Sequence, residues 1–158
     1  MTSGAVLIVD DEKGVRSSLL GILQDAGFTV ETVPSGEEAL EIVRLKEISV
    51  MLLDVWLTGM DGLETLARIR EVAPETVVIM ISGHGSIETA VRATRLGAFD
   101  FIEKPLSLEK TLLAVGNAMQ QYRLQKENLR LRRELERQYV MIGDSVTDRK
   151  STRLNSSH

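Results

Sequence analysis

Apolar and polar positions follow two alternating rhythms along the chain. Five short apolar runs stand out: Val6-Leu7-Ile8-Val9, Phe28-Thr29-Val30, Val50-Met51-Leu52-Leu53, Val77-Val78-Ile79-Met80-Ile81 and Phe99-Asp100-Phe101-Ile102. Each is followed by an amphipathic stretch, at about 15–27, 36–46, 62–72, 86–97 and 107–137. Three of the runs are continuous and rich in β-branched residues, as strands covered on both faces are. The stretches between them have helical periodicity. Ile87, Ala90, Val91 and Thr94 fall at i, i+3, i+4 and i+7 and predict one buried stripe on the fourth helix.

Start and stop signals agree with this reading. Ser35 with Glu38, and Asp61 with Glu64, have capping-box spacing. Gly27 and Gly97 stand where helices should end. Ser107 can cap a fifth helix, and Leu108, Leu112, Val115 and Met119 give that helix a face to pack on the sheet. Strict strand–helix alternation predicts an α/β fold with a parallel sheet and helices on both faces. In such a sheet the C-terminal strand ends share one edge, and ligands bind there.

Composition narrows the chemistry. The 158 residues are 43% hydrophobic, enough for one globular domain with an appendage. Cysteine is absent and there are two histidines, which excludes disulfide scaffolds, thiolate metal sites, cysteine nucleophiles and histidine-rich metal sites. No apolar stretch is long enough to span a membrane, and the N-terminus lacks the pattern of a signal peptide. A cytoplasmic location is expected. The net charge of −4 is unevenly spread: residues 1–119 have an excess of acid and 120–158 an excess of base. The acidic body argues against direct nucleic-acid binding, and the mixed-sign basic part reads as a solvated helix.

The polar residues that follow the apolar runs carry the chemistry. The first run ends in Asp10-Asp11, the third in Asp54 and the fourth in Ser82, and the fifth is followed by Lys104-Pro105. Taken singly, each has an ordinary explanation as a cap, a turn residue or a solvated side chain. The fold brings them to one edge together. Three crowded carboxylates raise one another's pKa unless a counter-charge is present. An oxygen-preferring divalent cation, Mg²⁺ above all, relieves that repulsion and leaves room for a phosphate oxygen. Lys104 adds a point charge suited to phosphate. A carboxylate can itself be the nucleophile and form an aspartyl phosphate.

This set, with the run Leu52-Leu53-Asp54-Val55-Trp56-Leu57-Thr58-Gly59-Met60-Asp61-Gly62 and the closing Asp100-Phe101-Ile102-Glu103-Lys104-Pro105, resembles the receiver domain of bacterial two-component response regulators over residues 4–119. The resemblance implies a doubly wound, five-stranded, flavodoxin-like sheet in the order 2-1-3-4-5 with five helices, the last extended as a linker. It implies that Asp54 accepts a phosphoryl group from a sensor histidine kinase. Asp10, Asp11, Asp54 and the backbone carbonyl of Trp56 would hold Mg²⁺, for which Mn²⁺ can substitute. Lys104 would contact the phosphate, Ser82 and Phe101 would form a switch pair, and the bond before Pro105 would be cis. Thr58 stands where proline is usual, a departure expected to loosen the loop without touching the chemistry. His84 reads as a loop residue beside the pocket, and Trp56 as half packed on its rim.

Beyond residue 119 the helical pattern continues. Leu124, Asn128, Leu131 and Leu135 form a 4-3-4 seam of about two heptads, flanked by Arg130 with Glu134. A coiled-coil homodimer over 120–138 is the expected consequence. Residues 139–145 resemble the opening of the AAA+ domain of nitrogen-regulator (NtrC/NtrX-like) activators of sigma-54 RNA polymerase. The loop Ser82–Val91 resembles that subclass too. The implied partners are a sensor histidine kinase, a second copy of the chain and a downstream AAA+ domain. The polar segment 146–158 reads as a tail outside the fold. Two other readings were weighed. A Mg²⁺-dependent phosphatase or phosphotransferase needs a second acid two residues past the nucleophile, where Trp56 stands. A receiver that only dimerises would not need the intact acid set.

Overall fold

The computed structural model describes residues 4–156, with side chains through Val140. Five parallel strands form one sheet in the order β2-β1-β3-β4-β5. They are β1 (Ala5–Val9), β2 (Thr29–Val33), β3 (Val50–Asp54), β4 (Val77–Ser82) and β5 (Asp100–Glu103). The helices between and after them are α1 (Lys13–Asp25), α2 (Gly36–Leu45), α3 (Gly62–Val72), α4 (Ile87–Arg95) and α5 (Leu108–Ser156). The expected topology is therefore the observed one. The second strand begins one residue later than its apolar run and extends to Val33, because it is an edge strand and alternates instead of reading as a block.

The central strands sort their side chains by parity. Leu7 and Val9, Met51 and Leu53, and Val78 and Met80 point into one core layer. Val6 and Ile8, Val50 and Leu52, and Val77, Ile79 and Ile81 point into the other. The register pairs Val6 with Val50 and Val50 with Val77, so each layer is continuous across the sheet. The caps are those the sequence predicts. Ser35 accepts the Glu38 N–H at 3.2 Å, Asp61 accepts that of Glu64 at 2.8 Å, and Ser107 accepts that of Lys110 at 3.0 Å. Gly27 and Gly97 follow α1 and α4 with φ of 97° and 107°, a left-handed backbone that disfavours a side chain.

Two packing expectations are corrected. Helix α4 does not bury the stripe of Ile87, Ala90, Val91 and Thr94. Ile87 is 84% exposed and Val91 43%, and among its residues only Ala93 is buried. The apolar periodicity is real, but the sheet is covered instead by Ala93 and the following Leu96 and Ala98. In α5 Leu108 is exposed, and the buried face is Thr111, Ala114, Val115, Ala118, Met119 and Tyr122. Small residues let this helix lie close to the sheet.

The chain divides into two compact units, Met1–Arg123 and Leu124–His158. The first reaches past residue 119 because Tyr122 is buried in the second core layer and its hydroxyl donates to Glu47 at 2.7 Å. In the second unit the helix continues beyond the expected 137, as no proline follows Pro105 and one glycine at 143 disfavours helix by only about 1 kcal/mol. Arg130 pairs with Glu127 at 2.5 Å and Glu134 at 3.5 Å, while Leu124, Leu131 and Leu135 are exposed. The helical backbone runs into the expected tail as far as Ser156. Most of 139–145, and all of 146–158, lie outside the residues whose side chains are described. Among the described residues no helix is long and apolar enough to cross a membrane.

Two glycines give opposite expectations. A Cβ on Gly62 would lie 2.1 Å from the Asp54 carbonyl oxygen and 2.7 Å from Val55 Cα, both backbone atoms. Gly21 sits within α1 with nothing within 4 Å of its added Cβ. Gly62→Ala should lower the unfolding free energy by about 1–3 kcal/mol, and Gly21→Ala should raise it by about 0.5–1 kcal/mol. Urea denaturation of the two variants beside the parent measures both signs.

Candidate functional site

The C-terminal edge of the sheet gathers the acidic residues. Asp10 follows β1, Asp11 comes next in the same turn, and Asp54 is the last residue of β3. One carboxylate oxygen from each lies within 4.8 Å of the other two. Asp10 is 1% and Asp54 4% exposed, while Asp11 is open to solvent. Parallel pairing of β1 with β3 produces this crowding, because Val9 is in register with Leu53. The next residue of each strand is an aspartate.

One ammonium faces the cluster. Lys104 Nζ is 3.1 Å from Asp10 Oδ2, 3.6 Å from Asp54 Oδ2 and 3.6 Å from Glu12 Oε1. The backbone N–H of Lys104 donates to the Ser82 carbonyl at 2.8 Å, and the Lys104–Pro105 bond is cis. Ser82 is fully buried, and its hydroxyl accepts the His84 N–H at 3.1 Å. It stands one residue beyond Ile81, the register partner of Asp54. His84 itself is exposed. The half-buried ring of Phe101 lies against Gly85, where an added Cβ would be 2.9 Å from Phe101 Cε1. Trp56 is 57% exposed, so its side chain leans less on the rim than expected.

Electrostatics follow from this geometry. Burial is the largest influence on Asp54, with the Asp10 charge next, and together they push its pKa up to about 6 against the pull of Lys104 and the Trp56 N–H. Burial pulls Lys104 down, but its close contact with Asp10 and the charges of Asp54, Asp10 and Glu12 outweigh it and hold its pKa above the usual lysine value. One ammonium cannot balance three carboxylates. Asp10 Oδ2 is buried without an aligned hydrogen-bond donor and has only the ion pair with Lys104. Two buried carboxylates and one open to water, with an under-satisfied oxygen among them, suit a hard divalent cation that keeps part of its water.

Three residues that the sequence did not single out, and a fourth that it did, hold the site in shape. Arg16 donates to the Asp10 carbonyl at 2.7 Å, and Glu12 pairs with Lys104. Glu37 in α2 accepts the Met60 N–H at 3.2 Å. Thr58 corrects an expectation, since its hydroxyl donates to Asp11 Oδ2 at 3.0 Å and so does touch the acidic cluster. The contact is not legible in the sequence, since 47 residues separate donor from acceptor. Only for Glu12, beside the aspartate pair, did adjacency offer a signal.

Comparison with known proteins agrees with the geometry. The response regulator receiver domain model matches residues 6–116. The nitrogen assimilation regulatory protein NtrX of Azorhizobium caulinodans is 40% identical over 142 residues, which is 89% of this chain and 31% of that protein. The DNA-binding transcriptional regulator NtrC of Escherichia coli strain K12 is 35% identical over 127 residues, 80% of this chain and 27% of that protein. The crystal structure of NtrX from Brucella abortus superposes with a TM-score of 0.77 at 40% identity, covering 82% of this chain and 30% of that one. The chain thus spans about a third of the length of these relatives. With the family model matched along most of its length and the receiver strand order in its sheet, the chain belongs to the response regulator receiver domain family, among NtrX- and NtrC-like homologues.

Proposed function

We propose that this receiver takes a phosphoryl group on Asp54 from a phosphohistidine of a sensor kinase in the cytoplasm, with Mg²⁺ held by Asp10, Asp11, Asp54 and the Trp56 carbonyl. The observation that carries the proposal is the placement of a buried Asp54 within the three-carboxylate cluster, with Lys104 Nζ at 3.6 Å. A carboxylate oxygen of Asp54 attacks phosphorus, the phosphorus–nitrogen bond to the imidazole breaks, and the histidine leaves with a proton. Asp54 must be ionised to do this, and with a pKa of about 6 it is so at neutral pH. When bound, the cation neutralises the crowded carboxylates and offsets charge on the transferring phosphoryl oxygens. Lys104 holds the phosphate from the other side.

After transfer the Ser82 hydroxyl turns toward the phosphate and Phe101 follows it inward. Phe101 is half-buried beside Gly85 and lines an open groove of about 570 Å³ together with Ile87 and Ala90. The exposed Ile87 and Val91 of α4 put an apolar face beside it, and a population shift there is the signal. In the full-length protein that signal is passed to an AAA+ domain that activates sigma-54 transcription. The exposed stripe of Leu124, Leu131 and Leu135, with Asn128 among them, supports a homodimeric coiled coil over 120–138.

Three outcomes are expected. Acetyl phosphate or a cognate kinase should label the protein only with Mg²⁺ or Mn²⁺ present, and Asp54→Asn should remove the label; phosphate-affinity electrophoresis reads this, and full labelling of the variant refutes the assignment.

The second outcome is a pH dependence. Folding raises the Asp54 pKa from 3.8 to about 6, so the protonated form contributes stability below about pH 4 that is lost as pH rises through 6. In chelator at pH 7.5, Asp54→Asn should be the more stable protein by about 1–2 kcal/mol, the full shift being reduced by solvent screening. The gap should close toward pH 4, and Mg²⁺ should narrow it at pH 7.5 by stabilising the parent alone. Thermal melts across pH test each part.

The third concerns assembly. A chain ending at Arg123 keeps Tyr122 in the core and should sediment as a monomer that still takes phosphate. The full chain should sediment as a dimer at tens of micromolar, and a monomer there rules out the coiled coil.

A further inference from the structure

The hydrogen bond from Thr58 to Asp11 joins two loops that the fold alone leaves independent. Asp11 lies in the turn after β1 and Thr58 in the loop between β3 and α3, four residues past Asp54. Both side chains are exposed, and each has other rotamers open to it in water. An ionised carboxylate is acceptor only, so a hydroxyl beside it has one productive orientation. At 3.0 Å the Thr58 hydroxyl occupies Asp11 Oδ2 and leaves Oδ1 without that donor. The loop is pinned a second time two residues later, where the Met60 N–H meets Glu37 Oε2 at 3.2 Å. Between the two ties Gly59 takes a φ of 81°, a turn that keeps the segment short.

Asp11 is the one exposed member of the carboxylate cluster. Asp10 is fixed by burial, by the Glu12 N–H at 2.9 Å and by Lys104, and Asp54 by burial and by Lys104. Among the described residues, the Thr58 hydroxyl is the hydrogen-bond donor that holds the Asp11 carboxylate. We propose that Thr58 is a positioning residue for the cation site: its hydroxyl fixes the Asp11 carboxylate and the loop bearing the Trp56 carbonyl in one arrangement. This rests on the reading of the acidic cluster as the Mg²⁺ site. A residue without a hydroxyl at position 58 could not orient Asp11 in this way.

The test is Mg²⁺ titration of the unphosphorylated protein, read by fluorescence of Trp56, the single tryptophan. Isothermal calorimetry gives the same constant without the fluorophore. Thr58→Val, which keeps the shape and removes the donor, should raise the Mg²⁺ Kd about tenfold with an unchanged melting temperature in chelator. Thr58→Ser, which keeps the donor, should bind within about twofold of the parent. In an Asp11→Asn background, Thr58→Val should add no further loss, because its effect passes through that carboxylate. A Thr58→Val protein that binds Mg²⁺ as well as the parent, or better, overturns the inference alone. A parent that binds no Mg²⁺ by calorimetry overturns the reading of the cluster and this inference with it.

Discussion

Three carboxylates held within 4.8 Å of one another, against a single ammonium, are the constraint around which this molecule is organised. At such distances each like-charged pair repels by roughly 3–4 kcal/mol in a medium with an effective dielectric constant near 20. An isolated loop would relax by moving apart. Here the aspartates extend from β1 and β3, whose residues Val6–Val9 and Val50–Leu53 are at most 1% exposed. Those strands cannot separate without opening both core layers. The rigidity of the sheet is therefore what keeps the charges crowded, and the crowding is what gives the edge a donor set suited to a hard cation.

The same edge is braced by contacts that leave the reactive atoms open. Arg16 is spent on the Asp10 carbonyl, not on its carboxylate. Gly62 lets the start of α3 press on the backbone of Asp54 and Val55, and its N–H reaches the Val55 carbonyl at 2.8 Å. Beyond β4 the constraint weakens. Phe101 and the loop at Gly85 border an open groove, and α4 meets the sheet through small side chains. The molecule is stiff at the crowded carboxylates and loosely filled around Phe101.

This division also explains what could be read from the sequence. Strands β1, β3 and β4 announce themselves because burial on both faces keeps their runs apolar up to the polar residues at their C-terminal ends. Edge strand β2, half-exposed, has no such block, and its bounds were displaced. Helix starts at Ser35, Asp61 and Ser107 are local hydrogen bonds and were legible as spacing. The aspartates and Lys104 were found because each follows an apolar run. Periodicity told that α4 has an apolar face but not what covers it, since that depends on neighbours distant in sequence. The contacts of Thr58 with Asp11 and of Glu37 with Met60 are hidden for the same reason: they are decided by the packed loops, not by adjacent residues.

The strand order has a further consequence, for synthesis on the ribosome. Strand β1 is the first to emerge, yet it lies inside the sheet, between β2 and β3. Its pairing with β2 closes after a short crossover, but the pairing of Val6 with Val50 awaits a segment more than forty residues later. Until β3 has left the exit tunnel, one edge of Ala5–Val9 stays unpaired and apolar on both faces, the kind of surface that recruits other chains. The position that gives Asp10 and Asp11 their finished neighbours thus leaves strand β1 open to aggregation while the chain grows. Rapid translation past residue 54 would shorten that interval, and a holding chaperone would cover the strand during it.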